Sequence, residues 1–196
     1  KLYELNLDSD YSSQVVAELK KKFTIKELME IINYTLSQSR NREDKTRAQG
    51  ILSLAQSNYE VIYSPDQPLS ARIIFPSTPA ESRGIEDARF TQFQDDDNVA
   101  ITYYATYTAF NGSAILPQLL ETKDFLRFKI STLNGPEVRN KGMALFPRKI
   151  NGLYAMISRQ DNENVYIMFS EQIHFWYTKK LILKPSFPWE FVQMGN

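Results

Sequence analysis

The stretch Glu81-Ser82-Arg83-Gly84-Ile85-Glu86-Asp87-Ala88-Arg89-Phe90 crowds carboxylates, guanidinium groups and a glycine into a short turn, just before an alternating apolar segment that reads as a strand. Charges held at the mouth of a rigid strand stay partly desolvated, and arginines beside a carboxylate tune its proton affinity. That setting suits general acid or base work; a solvated salt-bridge cluster uses the same residue types. A second polar cluster follows. Arg139-Asn140-Lys141-Gly142 precedes one strand candidate, and Ser158-Arg159-Gln160-Asp161 ends the next. If these strands pair as a hairpin, Arg139, Lys141 and Arg159 sit at its open end, where guanidinium forks and an ammonium suit phosphate or carboxylate oxygens. Independent solvated charges at loop tips are the plainer use.

The elements that must position these groups come in two kinds. From residue 10 to 56 the apolar period is helical. Thr24-Ile25-Lys26-Glu27 is a capping box, in which the hydroxyl and the carboxylate each satisfy a free backbone N–H at the helix start. Behind it Ile25, Leu28, Met29, Ile32 and Leu36 recur at steps of three and four, which predicts one apolar face. Weaker stripes run through Val15, Val16, Leu19 and Phe23, and through Ala48, Ile51, Leu52 and Ala55. The expectation is two or three short helices packed on one another.

Near Tyr59 the period changes to two. Segments 59–63, 71–75, 90–93, 99–107, 114–120, 125–131, 143–150, 153–158 and 165–169 read as strands. Asp95-Asp96-Asp97-Asn98 reads as a turn, and Asn151-Gly152 is the dipeptide favoured where both central turn residues need positive φ. The predicted fold class is therefore mainly β with an N-terminal helical segment: helices in 1–58 and an antiparallel meander in 59–196. A sandwich, a barrel or a propeller fits that pattern; a parallel α/β fold does not. Two hairpin groups, one either side of Gly135-Pro136, point to blade-like repetition.

Composition narrows the function classes. With 42% apolar residues in 196, the chain can bury a sizeable core. Its 23 basic and 23 acidic residues cancel, so no global field argues for nucleic acid or an anionic membrane as partner. There is no cysteine and a single histidine, His174, which leaves no disulfide framework, no thiolate chemistry and no expected metal site. The lack of cysteine fits a cytoplasmic protein. No apolar run approaches the roughly 20 residues of a membrane span, and the N-terminus lacks the pattern of a signal peptide. The chain opens on Lys1, not Met, which suggests a processed or excised piece.

Several ordered motifs together resemble glycoside hydrolase family 130, the β-mannoside phosphorylases and related mannosidases. They are Gly84-Ile85-Glu86-Asp87-Ala88-Arg89, Tyr107-Thr108-Ala109, Asn140-Lys141-Gly142-Met143-Ala144-Leu145-Phe146-Pro147 and Ser158-Arg159-Gln160-Asp161. The resemblance runs from about Tyr59 to the C-terminus. It implies a five-bladed β-propeller with its active site in the central channel, of which this chain holds about two blades plus helices. It also implies an inverting reaction on a β-mannoside oligosaccharide, with inorganic phosphate as co-substrate and no cofactor. In that reaction phosphate attacks the mannosyl carbon, and the aspartic acid of a Gly-x-Glu-Asp-Pro-Arg motif supplies the leaving-group proton, apparently through a sugar hydroxyl. Carried over by motif, Asp87 is the proton donor, Glu86, Arg89, Tyr107 and Asp161 bind substrate, and Arg139, Asn140, Lys141 and Arg159 hold phosphate and the mannosyl unit. This chain departs from the pattern twice. Ala88 stands where the motif has proline, and the family's phosphate-binding histidine has no counterpart, since His174 lies in a segment that reads as the outer part of a blade.

Two other functions stay open at this stage. An inverting hydrolase would need a base carboxylate several ångströms from the acid, for which Glu86, Asp161 and Glu163 are the candidates. A non-catalytic glycan- or protein-binding module would use Tyr103, Tyr104, Tyr107, Trp176 or Trp189 as platforms. A five-bladed ring needs roughly twenty short strands, so the chain is expected to be an inactive fragment alone, relying on missing propeller segments or a second chain. Residues 190–196 read as the start of another strand.

Overall fold

The computed structural model describes residues 1–95 and 101–190. It forms two compact units, Lys1–Ser57 and Asn58–Asn196. Most of the predicted 95–98 turn, and the strand expected from residue 190 onward, lie outside the described residues.

The first unit holds α1 (Asp10–Glu18), α2 (Ile25–Gln38) and α3 (Glu43–Gln56). α2 begins at the predicted box: Thr24 Oγ1 accepts from Glu27 N at 3.2 Å, and Glu27 Oε2 accepts from Thr24 N at 2.7 Å. The helices close on Tyr11, Val15, Leu28, Ile32, Ala48 and Ile51. The α2 stripe is narrower than its spacing suggested. Leu28, Ile32 and Thr35 face the core, whereas Ile25 and Met29 stay exposed, because two neighbouring helices can cover only part of one face.

The second unit is built from two antiparallel sheets. The first takes β1 (Tyr59–Ile62), β2 (Ile85–Gln94), β3 (Ile101–Phe110), β4 (Ile115–Thr122) and β5 (Arg127–Thr132) in the order β1-β5-β4-β3-β2. The second is β6 (Met143–Leu145), β7 (Tyr154–Ser158), β8 (Val165–Ser170) and β9 (Lys179–Leu183) in sequence order. The break falls around Gly135-Pro136, as the two hairpin groups suggested. Asn151 and Gly152 take φ values of 51° and 77°, matching the turn expected there.

Segment 71–75 is a correction. Leu69–Ala71 is a 3-10 turn followed by irregular chain, with Ile73 and Phe75 exposed. Alternation was present, but among the described residues no strand pairs with it. Instead the Arg72 guanidinium ties the segment down, donating to Gln67 O at 2.7 Å and Phe125 O at 3.0 Å. Segment 143–150 is also shorter than expected, its regular part ending at Leu145. β9 carries two lysines before three apolar residues, so it showed no alternation to read.

Between the sheets lie Phe93, Leu119, Leu133, Val138, Met143, Leu145, Met156, Met168 and Trp176. The segment read as the outer part of a blade, 170–176, leaves the end of β8 as a turn that sends Trp176 into this core. Trp176 is fully buried; its backbone N donates to Asn134 O at 2.8 Å, and Asn134 N donates to His174 O at 2.9 Å. Between these contacts Gly135 has φ 112°, and a Cβ there would stand 2.0 Å from Trp176 O. Gly135→Ala is therefore expected to cost about 3 kcal/mol or more, since left-handed strain and overpacking add. The check is the midpoint of chemical denaturation of the complete protein.

Candidate active site

The central motif straddles a turn and a strand: Glu81 ends the 3-10 helix Pro79–Glu81, and Ile85 to Phe90, Glu86 and Asp87 among them, lie inside β2. The turn is confined to residues 82–84, where Arg83 N donates to Phe110 O at 2.9 Å and Phe110 N donates to Gly84 O at 3.1 Å. Pairing then runs Ile85 with Ala109 and Glu86 with Thr108, and resumes at Arg89 with Thr106. Two residues, Asp87 and Ala88, thus oppose the one residue Tyr107, and Asp87 sits at φ 59°. This is a β-bulge, which breaks pairing locally and re-aims a side chain. Where the motif has proline, Ala88 is the second residue of the bulge.

The exposed Asp87 borders a small cleft whose other walls include Thr106, Thr108, Pro117, Lys141, Gly142 and Met143. Lys141 reaches across to β2, its Nζ 2.8 Å from Glu86 Oε1. β6 and β7 pair with Met143 opposite Ser158, so the loops before and after them do share an open end. There Arg159 packs over Gly142: a Cβ on Gly142 would stand 2.6 Å from Arg159 Nε. The structure therefore brings Glu86, Asp87, Lys141 and the Gly142–Arg159 contact to one edge.

The remaining predicted residues are placed otherwise. Arg139 is exposed, its Nε donating to Pro136 O at 2.7 Å. Asn140, at φ 58°, turns its amide toward Gln160 O at 3.4 Å. Arg89 lies on β2 just past the bulge, half-buried. Tyr107 is buried, and its hydroxyl donates to Glu81 Oε1 at 2.9 Å, so that group points to a carboxylate rather than to open solvent. Asp161 organises its own loop: it accepts from Glu163 N, Asn164 N, Asn164 Nδ2 and Tyr166 OH at 2.6–3.0 Å. Desolvation acts to raise its pKa, but these donors outweigh it and hold the carboxyl well below the usual range.

Among the possible base residues, Glu86 is paired with Lys141, Asp161 is saturated, and Glu163 is exposed beside it. Of the aromatic residues, Tyr103 packs on Phe125 and Tyr104 on Phe93, while Trp176 is core. Trp189 is exposed and stacks on Phe187 at 4.7 Å. Burial, then the nearby Lys129, push the His174 pKa down, which favours a neutral ring. Among the described residues no group of three or more acidic or histidine side chains could hold a metal ion.

Sequence reasoning passed over the role of Glu81. It is fully buried, and it accepts from Tyr59 OH and Tyr107 OH on one oxygen and from Ser77 N and Thr78 N on the other. Its signal was present in Thr78-Pro79-Ala80-Glu81, a helix-start signature. The carboxylate half of that box forms, while Thr78 Oγ1 is buried with no partner among the described residues.

The profile of glycoside hydrolase family 130, described as beta-1,4-mannooligosaccharide phosphorylase, matches residues 41–191. The chain belongs to this family. The match to family 130 begins just before α3, upstream of the motifs that first pointed to it. The family-130 chain is 34% identical over 134 residues to a 1,2-beta-oligomannan phosphorylase of Thermoanaerobacter, covering 65% of this chain and 42% of that protein. It is 29% identical over 139 residues to a beta-1,2-mannobiose phosphorylase of Listeria innocua, covering 68% and 37%. It thus spans about two fifths of the length of these relatives. Among solved structures it is similar to the Listeria innocua enzyme in complex with beta-1,2-mannobiose, with a TM-score of 0.47 at 28% identity over 60% of this chain and 32% of that one.

The Asp161 loop yields a test. A carboxyl with a depressed folded-state pKa adds stability that is full above its ordinary value of about 4 and is lost as pH falls through the folded value. Asp161→Ala should lower stability by about 1 kcal/mol at neutral pH, a figure already reduced for exposure. The gap to wild type should narrow as the pH drops below that range. Thermal unfolding against pH is the measurement, and the mannoside KM should change little; a large KM rise would make Asp161 a sugar ligand.

Proposed function

We propose that the complete protein is an inverting β-mannoside phosphorylase. A phosphate oxygen attacks the mannosyl C1 as the glycosidic C1–O bond breaks, and the Asp87 proton goes to the departing oxygen, directly or through a sugar hydroxyl. The products are α-mannose 1-phosphate and the shortened acceptor. The observation that carries this reading is the edge where the Asp87 bulge meets Lys141 and the Gly142–Arg159 contact. It sets an acid beside cations, which suits a nucleophile that arrives charged and needs no base. Family membership and the names of the two curated relatives support the same substrate class. Glu86 and Arg89 on the sugar side, and Arg139, Asn140, Lys141 and Arg159 on the phosphate side, are the proposed contacts, whereas the Tyr107 hydroxyl is engaged with Glu81 and the Asp161 carboxylate with its own loop.

In this reading the two sheets are blades of a five-bladed ring completed by the rest of the protein. The hydrolase alternative gains no support from the geometry: the Asp161 carboxylate is taken up by its own loop, Glu86 pairs with Lys141, and Glu163 is exposed beside Asp161. The experiment is product analysis of the complete protein on β-1,2- and β-1,4-mannobiose. Mannose 1-phosphate formed only with phosphate present is expected; free mannose without phosphate would overturn the proposal in favour of hydrolysis. Asp87→Asn keeps the shape and removes the proton, so kcat should fall by roughly 10²–10⁴; wild-type rates would remove Asp87 from the mechanism. Arg159→Ala should raise the KM for phosphate far more than that for mannoside, and an equal rise in both would count against anion binding there.

A further inference from the structure

Glu81 is a carboxylate with no solvent exposure. A buried charge persists only when its lone pairs are met. Here Tyr59 OH (3.0 Å) and Tyr107 OH (2.9 Å) donate to Oε1, while Ser77 N (3.0 Å) and Thr78 N (3.1 Å) donate to Oε2. Those four donors meet both carboxyl oxygens, two on each. Burial, Tyr59 and Glu81 push the Tyr107 phenol far above its ordinary pKa, so it stays a donor.

Glu81 is tied to both sides of the bulge. Glu81 O accepts from Gly84 N at 2.8 Å, closing the turn that feeds β2 into its first pair. Tyr107 is the single β3 residue opposite Asp87 and Ala88. Glu81 therefore holds the entry to the bulge through its backbone and the strand facing the bulge through its side chain. The next strand continues the polar row. Gln118, opposite Tyr107 on β4, is fully buried, and neither amide atom has a partner among the described residues. Polar groups kept at such cost across one row point to a role beyond packing.

We propose that Glu81 and Tyr107 are positioning residues: their buried hydrogen bond fixes the β3 segment opposite the bulge and so aims the Asp87 carboxyl at the leaving-group oxygen. This rests on Asp87 as the proton donor. Tyr107 acts through its hydroxyl on Glu81, and its ring need not touch sugar. Misplacing an acid by about 1 Å costs roughly 10²-fold in rate. That loss shows only where the leaving group needs the proton.

The experiment is Tyr107→Phe, with Glu81→Gln beside it, in the complete protein. Glu81→Gln sets an amide donor against existing donors and can fail to fold; Tyr107→Phe removes one hydroxyl and keeps the ring. Tyr107→Phe should lower kcat for mannobiose phosphorolysis about 10²-fold with little change in KM, and barely affect a dinitrophenyl β-mannoside, whose leaving group needs no proton. Equal loss on both substrates, or no loss on mannobiose, overturns the proposal. Hydrogen exchange read by peptide gives a second arm that needs no turnover: protection over 85–92 should fall while that over 115–122 holds. Unchanged exchange over 85–92 overturns it too. Wild-type protein that makes no mannose 1-phosphate would sink the phosphorylase reading alone, and the exchange arm would still decide whether Tyr107 holds the bulge.

Discussion

Between Glu86 and Arg89 the β2–β3 ladder absorbs one extra residue, and a non-glycine residue, Asp87, takes the left-handed conformation that lets it do so. Such a residue costs about 1–3 kcal/mol and persists only where the surroundings over-determine it. The pairs on either side supply that constraint. Ile85 and Glu86 are locked to Ala109 and Thr108, and from Arg89 the register runs unbroken to Gln94. A carboxylate on a regular stretch of strand would follow the pleat; on the bulge it is released from alternation and can face the cleft at the sheet edge.

The same edge is where the two sheets are tied together, by two side chain-to-backbone bonds and one between backbones. Thr106 Oγ1 donates to Met143 O, Thr91 Oγ1 donates to Leu145 O at 2.9 Å, and Gln94 N donates to Pro147 O at 2.9 Å. β2 and β6 are outer strands of their sheets, so their free carbonyls and amides would otherwise need water. Joining them places the loop carrying Lys141 and Gly142 against the strand carrying Glu86 and Asp87. The apolar core behind, from Phe93 to Trp176, makes that junction rigid. Sheet packing thus assembles residues about 55 positions apart, as the separation of Glu86 and Lys141 shows.

What could be read from the chain is what local chemistry dictates. Thr24 and Glu27 announce a helix start because each partner lies within one turn, and Asn151-Gly152 announces its turn because φ belongs to the residue itself. Alternation located most of the β elements for the same reason. It failed at 71–75, because alternation says that one face could be buried and not that a neighbouring strand exists. The failure at β9 was the reverse, a strand defined by pairing to β8 with no alternation of its own. At the site, motif and order singled out Asp87, Lys141 and Arg159, yet the bulge was invisible, since it is a mismatch between two strands. Glu81 was equally hidden: its capping signature is local, but the tyrosine hydroxyl that gives it meaning lies 26 residues away.

The Glu86–Lys141 pair shows how this edge could serve a charged substrate. Its two side chains keep 56% and 36% of their exposure, so water screens the attraction and the pair adds little to stability. A deeply buried pair would resist separation, because each ion would be left uncompensated. An exposed one exchanges partners at small cost. If phosphate enters as proposed, Lys141 can turn from one carboxylate oxygen to a more highly charged ligand with the same donor, leaving Glu86 in water. In that reading the ammonium that would change partners adjoins Gly142, over which Arg159 packs. Asp161, with four donors of its own, has no such freedom, and its carboxylate shapes a loop instead.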